Sequence, residues 1–237
     1  MTHVDLNLLA LDTSTDQLSV AVQRADGRRF AHTGAGGAQA SASLIPAVQA
    51  LLAQAGLSLS DLSAIAFGRG PGSFTGLRTA CSVAQGLAWG AGVPVLPIDT
   101  LLAVAEAARS AHGATHVLAL LDARMNEVYA AEYAWRDAAG WRPLSDIAVL
   151  APEAVPTPGA GAVLAGNAFA AYADRLPAAL QALPRIAALP SADALLNLAP
   201  ALLAAGAAVP AEQALPLYIR DKVAQTTAER SAAGLAR

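Results

Sequence analysis

Between Gly68 and Arg78 the chain reads Gly-Arg-Gly-Pro-Gly-Ser-Phe-Thr-Gly-Leu-Arg, directly after the apolar run Ala64 to Phe67. Gly70 and Gly72 can bring bare backbone close to a partner, and Pro71 stiffens the turn between them. Ser73 or Thr75 can cap a following helix, whose first amides point outward and favour negative charge. A phosphate, a carboxylate or a protein surface are the occupants such a loop suits. The known phosphate loops do not fit. A P-loop needs a lysine after its last glycine, and the only lysine in the chain is Lys222. The dinucleotide pattern fails because Ser73 stands where its third glycine belongs. Ser73 is not in a Gly-x-Ser-x-Gly nucleophile elbow either.

A second chemical candidate is Asp12-Thr13-Ser14-Thr15, a carboxylate and three hydroxyls at the end of an apolar run. Such a turn can hold phosphate or a metal-bound water, or it can simply bond its own backbone. Its pattern returns at Asp122, where strand, aspartate, polar turn and strand follow one another from Val117 to Tyr133. Paired hairpins of this kind belong to two-lobed phosphotransfer proteins, but these two lack the glycines that let amides approach phosphate. His112 and His116 have the spacing of helical metal ligands. Gly113 between them and the strand-like residues after His116 remove the helix that would give the spacing meaning, and no acidic neighbour joins them. His3 and His32 have no sequence partners. No metal site is expected.

Positioning these residues requires strands at Leu8 to Asp12, Gln17 to Gln23, Arg28 to Thr33, Ala64 to Phe67 and Val93 to Ile98. It also requires helices at Ser41 to Ala55 and Phe74 to Gly90. Three antiparallel strands followed by helix, strand, helix, strand is a ribonuclease-H-like arrangement. The repeat at Asp122 implies a duplication, with a first lobe over residues 1–100 and a second lobe and tail over 101–237. That tail can pack back on the first lobe. From Trp141 to Pro216 only a helix near Ala192 to Ala205, broken or started at Pro200, is legible.

The 237 residues are 55% hydrophobic and only 14% charged, so a core is assured and little of the surface is strongly solvated. A net charge of -3, with 14 arginines spread thinly, excludes a basic block able to track nucleic acid unaided. A single cysteine, Cys81, suits a reducing compartment and reads as a buried thiol. The first residues have no secretory pattern. The uncharged stretches Ala154 to Ala173 and Ala194 to Ala211 are broken by proline and rich in alanine, so neither is expected to span a membrane. Location in the cytoplasm follows as an expectation.

Four motifs in order, Leu9 to Thr15, Gly68 to Arg78, Leu121 to Arg124 with Glu127-Val128-Tyr129, and Leu217 to Asp221, resemble the bacterial TsaB family, also called YeaZ. The resemblance implies an α/β, actin-like and sugar-kinase-like fold of two lobes, each a mixed sheet with packed helices. It also implies a part in making N6-threonylcarbamoyladenosine beside the anticodon of tRNAs that read codons starting with A. In that family TsaB is the non-catalytic partner of TsaD, which holds the metal, and the ATPase TsaE joins them. TsaD's two metal histidines would fall near Leu101 to Ala105, where this chain has none. The chain is thus expected to have no catalytic residues, metal or cofactor of its own, and to meet tRNA only through the complex. The related subunits pair through their N-terminal helices.

Carried over by position, that interface takes in Thr75, Gly76, Arg78, Ala80, Cys81, Ala84 and Ala88, with Leu44 and Val48 of the preceding helix beside them. Gly76, Ala80, Ala84 and Ala88 recur every four residues and form one small-residue stripe, open to a second helix if Leu77, Val83 and Leu87 face the sheet. Ala84→Arg is then expected to abolish pairing and spare the fold. Two departures stand out: Ala40-Ser41-Ala42 occupies the usual place of His-Ser-Glu, and Met125-Asn126 that of Arg-Gly. Asp12, Thr13, Ser14, Gly70, Gly72 and Ser73 are left as degenerate phosphate or nucleotide contacts. The competing expectation is an independent nucleotide hydrolase or glycopeptidase-like enzyme using Asp12 and the glycine loop. A homodimer of the isolated chain through the same stripe is a further expectation.

Overall fold

The computed structural model describes residues 5–137 and 139–220. His3, Lys222 and Asp221, the last residue of the fourth motif, lie outside them. The chain begins with β1 (Leu8–Asp12), β2 (Gln17–Gln23) and β3 (Arg29–Ala35). Next come α1 (Ala40–Ala55), β4 (Ala64–Gly70), α2 (Phe74–Ala91), β5 (Val95–Asp99) and α3 (Thr100–His112). The second half runs β6 (His116–Arg124), β7 (Glu127–Arg136), β8 (Gly140–Pro143), β9 (Ala148–Leu150) and β10 (Val163–Gly166). It closes with α4 (Ala168–Tyr172), α5 (Ala178–Gln181), β11 (Arg185–Ala187) and α6 (Ala192–Ala204).

Two sheets result, ordered β3-β2-β1-β4-β5 and β11-β10-β6-β7-β8. In the first, β1 pairs antiparallel with β2 and parallel with β4; in the second, β6 pairs antiparallel with β7 and parallel with β10. Read from β8 to β11, the second sheet has the order of the first. The expected duplication is therefore present as topology, and the molecule is a two-lobed α/β fold with a mixed sheet in each lobe.

The central strand β1 is buried on both faces, as a run of Leu and Ala without polar alternation requires. Leu9 and Leu11 join α1 and α2 on one side of the first sheet, while Leu8 and Ala10 join α3 and α6 on the other. Each fully buried leucine contributes about 2 kcal/mol through removal from water. Helix α3 also supplies Leu101, Val104, Ala105 and Ala108 to the core of the second sheet. It is thus packed against both lobes.

Past Trp141 the described residues include three strands, β9 to β11, and two short helices, α4 and α5, that the alanine-rich text conceals. Helix α6 passes through Pro200 without a break. Residues beyond it return to the first lobe, where Val209 bridges Val95 and the Ala214 carbonyl lies 3.3 Å from the Cys81 sulfur. Cys81 is buried there, and burial pushes its thiol pKa up. Among the described residues no helix is long and apolar enough to cross a membrane.

Candidate functional site: an interlobe cleft and a helical face

The two Asp hairpins face each other across a cavity of about 310 Å³. The first lobe contributes Ser14, Thr15, Asp16, Gly72 and Ser73, the second Asp122, Arg124, Tyr129 and Asn167, and residues 217–220 line it as well. Topology explains the meeting, since β1 and β6 occupy equivalent places in the two sheets and their following turns emerge at corresponding edges.

Most of the polar groups expected to meet a phosphate are engaged internally. Asp12 and Thr13 are buried, and Thr13 donates its hydroxyl to the Gly76 carbonyl at 2.7 Å. Ser14 donates its backbone N–H at 2.9 Å and its hydroxyl at 2.7 Å to Asp12 Oδ1, while its carbonyl accepts from the Ser73 N–H at 2.7 Å. Asp12 Oδ2 has no partner and lies against Gly68, where an added Cβ would stand 1.8 Å from it. Burial therefore holds the Asp12 carboxyl above the ordinary carboxylate range, against the opposing hydrogen bonds from Ser14. The close backbone approach in the glycine loop is also used within the chain. A Cβ on Gly72 would lie 2.5 Å from the Ser14 carbonyl, and one on Gly70, at φ 124°, 2.6 Å from the Leu217 carbonyl. Of the six expected phosphate contacts, Ser14, Gly72 and Ser73 border the cavity. Ser73 caps α2 by accepting from the Gly76 N–H at 3.5 Å.

The charges at the cleft are paired. Arg124 reaches Asp16 across the gap at 2.6 Å and Asp122 within its own hairpin at 3.4 Å. Arg220 pairs with Glu127. Asp122 also accepts from the Tyr172 hydroxyl at 2.9 Å. The guanidinium groups lining the cleft thus already have carboxylate partners, the Arg124–Asp16 pair exposed and the Arg220–Glu127 pair half-buried. Arg124, Met125 and Asn126 all have positive φ. The glycine missing from this hairpin is replaced by three residues in the left-handed region, so the turn survives the substitution noted in the sequence.

Histidine geometry is plain. His112 ends α3, whereas His116 opens β6 and contacts the Ala160 carbonyl and Glu132. Among the described residues no three His, Cys, Asp or Glu side chains gather to hold a metal.

The expected interface stripe lies on the inward side of α2, which is a correction to the sequence reading. Gly76, Ala80, Cys81, Ala84 and Ala88 are buried, and all but Gly76 share one core cluster with Leu44 and Val48 of α1. A Cβ on Gly76 would stand 1.8 Å from the Thr13 carbonyl. Small residues here let α2 sit close on its own sheet, and they are unavailable to another chain. Thr75 and Arg78 are exposed; Arg78 stacks on Phe74 at 3.8 Å.

The outward side of α2 carries Thr75, Ser82, Gly86, Trp89 and Gly90, with nothing within 4 Å of either glycine's added Cβ. Trp89 is 69% exposed. Beside it α1 exposes Ala42, Ile45, Pro46, Gln49 and Ala53, and α1 has no charged residue at all. Ala40 of the departed His-Ser-Glu position is buried, and Ser41 and Ala42 stand on the exposed first turn. The signal that distinguishes this face was present in the text. A mid-helix glycine costs about 1 kcal/mol relative to alanine, so Gly86 marks a place where a side chain is unwelcome.

Duplicated sheets and facing Asp hairpins define a two-lobed α/β protein in which, among the described residues, the arginines lining the cleft are paired with carboxylates. Residues 36–228 match the family model described as TsaD: tRNA N6-adenosine threonylcarbamoyltransferase. The chain is 39% identical over 224 residues to the tRNA threonylcarbamoyladenosine biosynthesis protein TsaB of Escherichia coli strain K12, covering 92% of this chain and 96% of that one. YeaZ from Pseudomonas aeruginosa superposes with a TM-score of 0.83 at 42% identity, covering 90% of this chain and 99% of its own. A second structure from that organism, described as similar to the peptidase YEAZ, gives 0.84 at 42% identity, covering 91% and 100%. The chain belongs to the TsaB (YeaZ) family.

Proposed function

We propose that this chain is a non-catalytic subunit of the assembly that forms N6-threonylcarbamoyladenosine next to the anticodon of tRNAs reading codons that start with A. In this reading it binds and activates TsaD, with TsaE joining the pair, and reaches tRNA through the complex. ATP and metal belong to the partner subunits, and the work takes place in the cytoplasm. The relatives' names support the pathway. The observation that carries the scaffold role is the contrast between exposed faces of α1 and α2 on which Arg78 is the single charged residue and a cleft whose charges are already paired.

On this reading the contact residues on α2 are Thr75, Ser82, Gly86, Trp89 and Gly90, and on α1 Ile45, Pro46 and Gln49. Glycines at the crossing let two helices approach more closely than side chains allow, and Trp89 is the kind of exposed aromatic that anchors an interface. The same face is available for a homodimer of the isolated chain. Reconstitution with purified TsaD, TsaE, ATP, threonylcarbamoyl-adenylate and tRNA tests the proposal, with modified nucleoside read by mass spectrometry. Product that requires this chain is expected. Equal product without it overturns the scaffold role and returns attention to an independent hydrolase or glycopeptidase-like activity.

A further inference from the structure

We propose that residues 217–220 form a strap that clasps the two lobes across the open side of the cleft and keeps the molecule one rigid body. Four consecutive residues make the crossing. The Leu217 N–H donates to the Arg69 carbonyl at 2.7 Å, and the Leu217 carbonyl fills the space beside Gly70. Tyr218 packs on Phe74 with ring centroids 5.3 Å apart, and its hydroxyl accepts from Arg78 Nε at 3.0 Å. These contacts belong to the first lobe. Ile219 then packs into the core of the second sheet. Arg220 donates to the Ala123 carbonyl at 3.2 Å, pairs with Glu127, and lies 3.2 Å from the Met125 sulfur.

Position gives these contacts their consequence. Helix α3 packs against both lobes away from the cavity lining, so it can serve as a hinge, and a second attachment at the cavity itself, where residues 217–220 lie, is what would stop the lobes from swinging. Another bond across the cleft is Arg124 to Asp16, whose side chains are 69% and 83% exposed. An exposed ion pair holds little. Strap contacts combine half-buried apolar packing of Leu217 and Ile219, an exposed aromatic pair, a backbone hydrogen bond and a half-buried ion pair, so together they resist opening more strongly than one exposed pair. The strap also lines the cavity that a lobe-closing ligand would occupy. A segment of the chain itself thus does the closing, and a scaffold gains a fixed shape without a ligand.

The inference is independent of any partner and is read on the isolated full chain. In the wild type, hydrogen exchange is expected to show the Leu217 amide protected well beyond a free peptide. Exchange at the free-peptide rate overturns the strap without any variant. In Tyr218→Ala/Arg220→Ala, Leu217 protection is expected to fall about tenfold or more, the loss of roughly one to two hydrogen bonds. Nitroxide labels at Arg28→Cys and Asp174→Cys, in a Cys81→Ala background, are expected to give one narrow interlobe distance in the intact chain and a broadened distribution in the strap variant. A distribution left narrow by the strap variant, with protection unchanged, overturns the proposal.

Discussion

The cleft and the outer face of α1 and α2 differ in how each treats its polar groups. At the cleft, Asp16, Asp122 and Glu127 are matched by Arg124 and Arg220, and the glycine loop packs on Ser14 and Leu217. On the helical face there is scarcely a charge, and two glycines stand in open space. A region that satisfies itself has little to offer a ligand, since any newcomer must first break existing bonds. A region that pays a helix-propensity penalty for no internal contact is incomplete in the isolated chain. On the proposed reading the glycine motif serves mostly as architecture, and the plain alanine-rich helices are the candidate working surface.

The sharpest way to break that comparison is to place arginine on each side of α2. Ala84→Arg puts a long cation into a packed core and is expected to cost about 4 kcal/mol or more, abolishing cooperative thermal unfolding of the soluble chain. Gly86→Arg on the outer side is expected to leave the melting temperature nearly unchanged and weaken TsaD binding about a hundredfold or more, as calorimetry would measure. If Ala84→Arg folds normally and only pairing is lost, the assignment of faces is reversed.

A smaller effect separates architecture from catalysis at Asp12. Its carboxyl is fully buried with one oxygen unpartnered, and burial raises its pKa. A carboxyl raised in the folded state contributes stability that is complete below its unfolded value and is lost as pH rises through its folded value. Asp12→Asn removes that loss, so the variant is expected to melt a few degrees higher at neutral pH and to show a flatter pH dependence above the usual carboxylate range. Differential scanning calorimetry across pH checks both. A variant that melts lower throughout would mean that the ionised carboxylate stabilises the turn.

The smallest expected change is Gly86→Ala. With nothing near its added Cβ, it is expected to stabilise the isolated chain by about 0.5–1 kcal/mol through helix propensity. A denaturant titration reads this directly, and the same variant should bind TsaD more weakly. Stabilisation with unchanged binding would leave Gly86 without a reason.

Much of the first lobe was legible because its elements are long and have clear periods. The alternation in Leu18, Val20 and Val22 gave β2, and Leu44, Val48, Leu51 and Leu52 gave the buried side of α1, whereas Ile45, read from the sequence onto the same side, is 42% exposed. Beyond Trp141, β9, β10 and β11 are three or four residues each in a run dominated by alanine, where buried and exposed positions look alike. Pro200 invited a break that α6 does not make, because tertiary packing of Leu195, Leu196 and Ala199 outweighs one missing hydrogen bond.

By itself the sequence determined the repeated strand, aspartate, turn and strand, the glycine loop after an apolar strand, and the family those motifs carry. These are local patterns, readable from neighbours within a few residues. Only the tertiary structure decided which of two four-residue stripes on α2 faces inward, since both satisfy the same helical period and differ only in what lies opposite. It also decided the pairing of Arg124 with Asp16 and of Arg220 with Glu127, and the crossing of residues 217–220 between the lobes. Charges and straps that meet across about a hundred residues of chain depend on where two separate sheets place their turns, and local spacing contains no record of that distance.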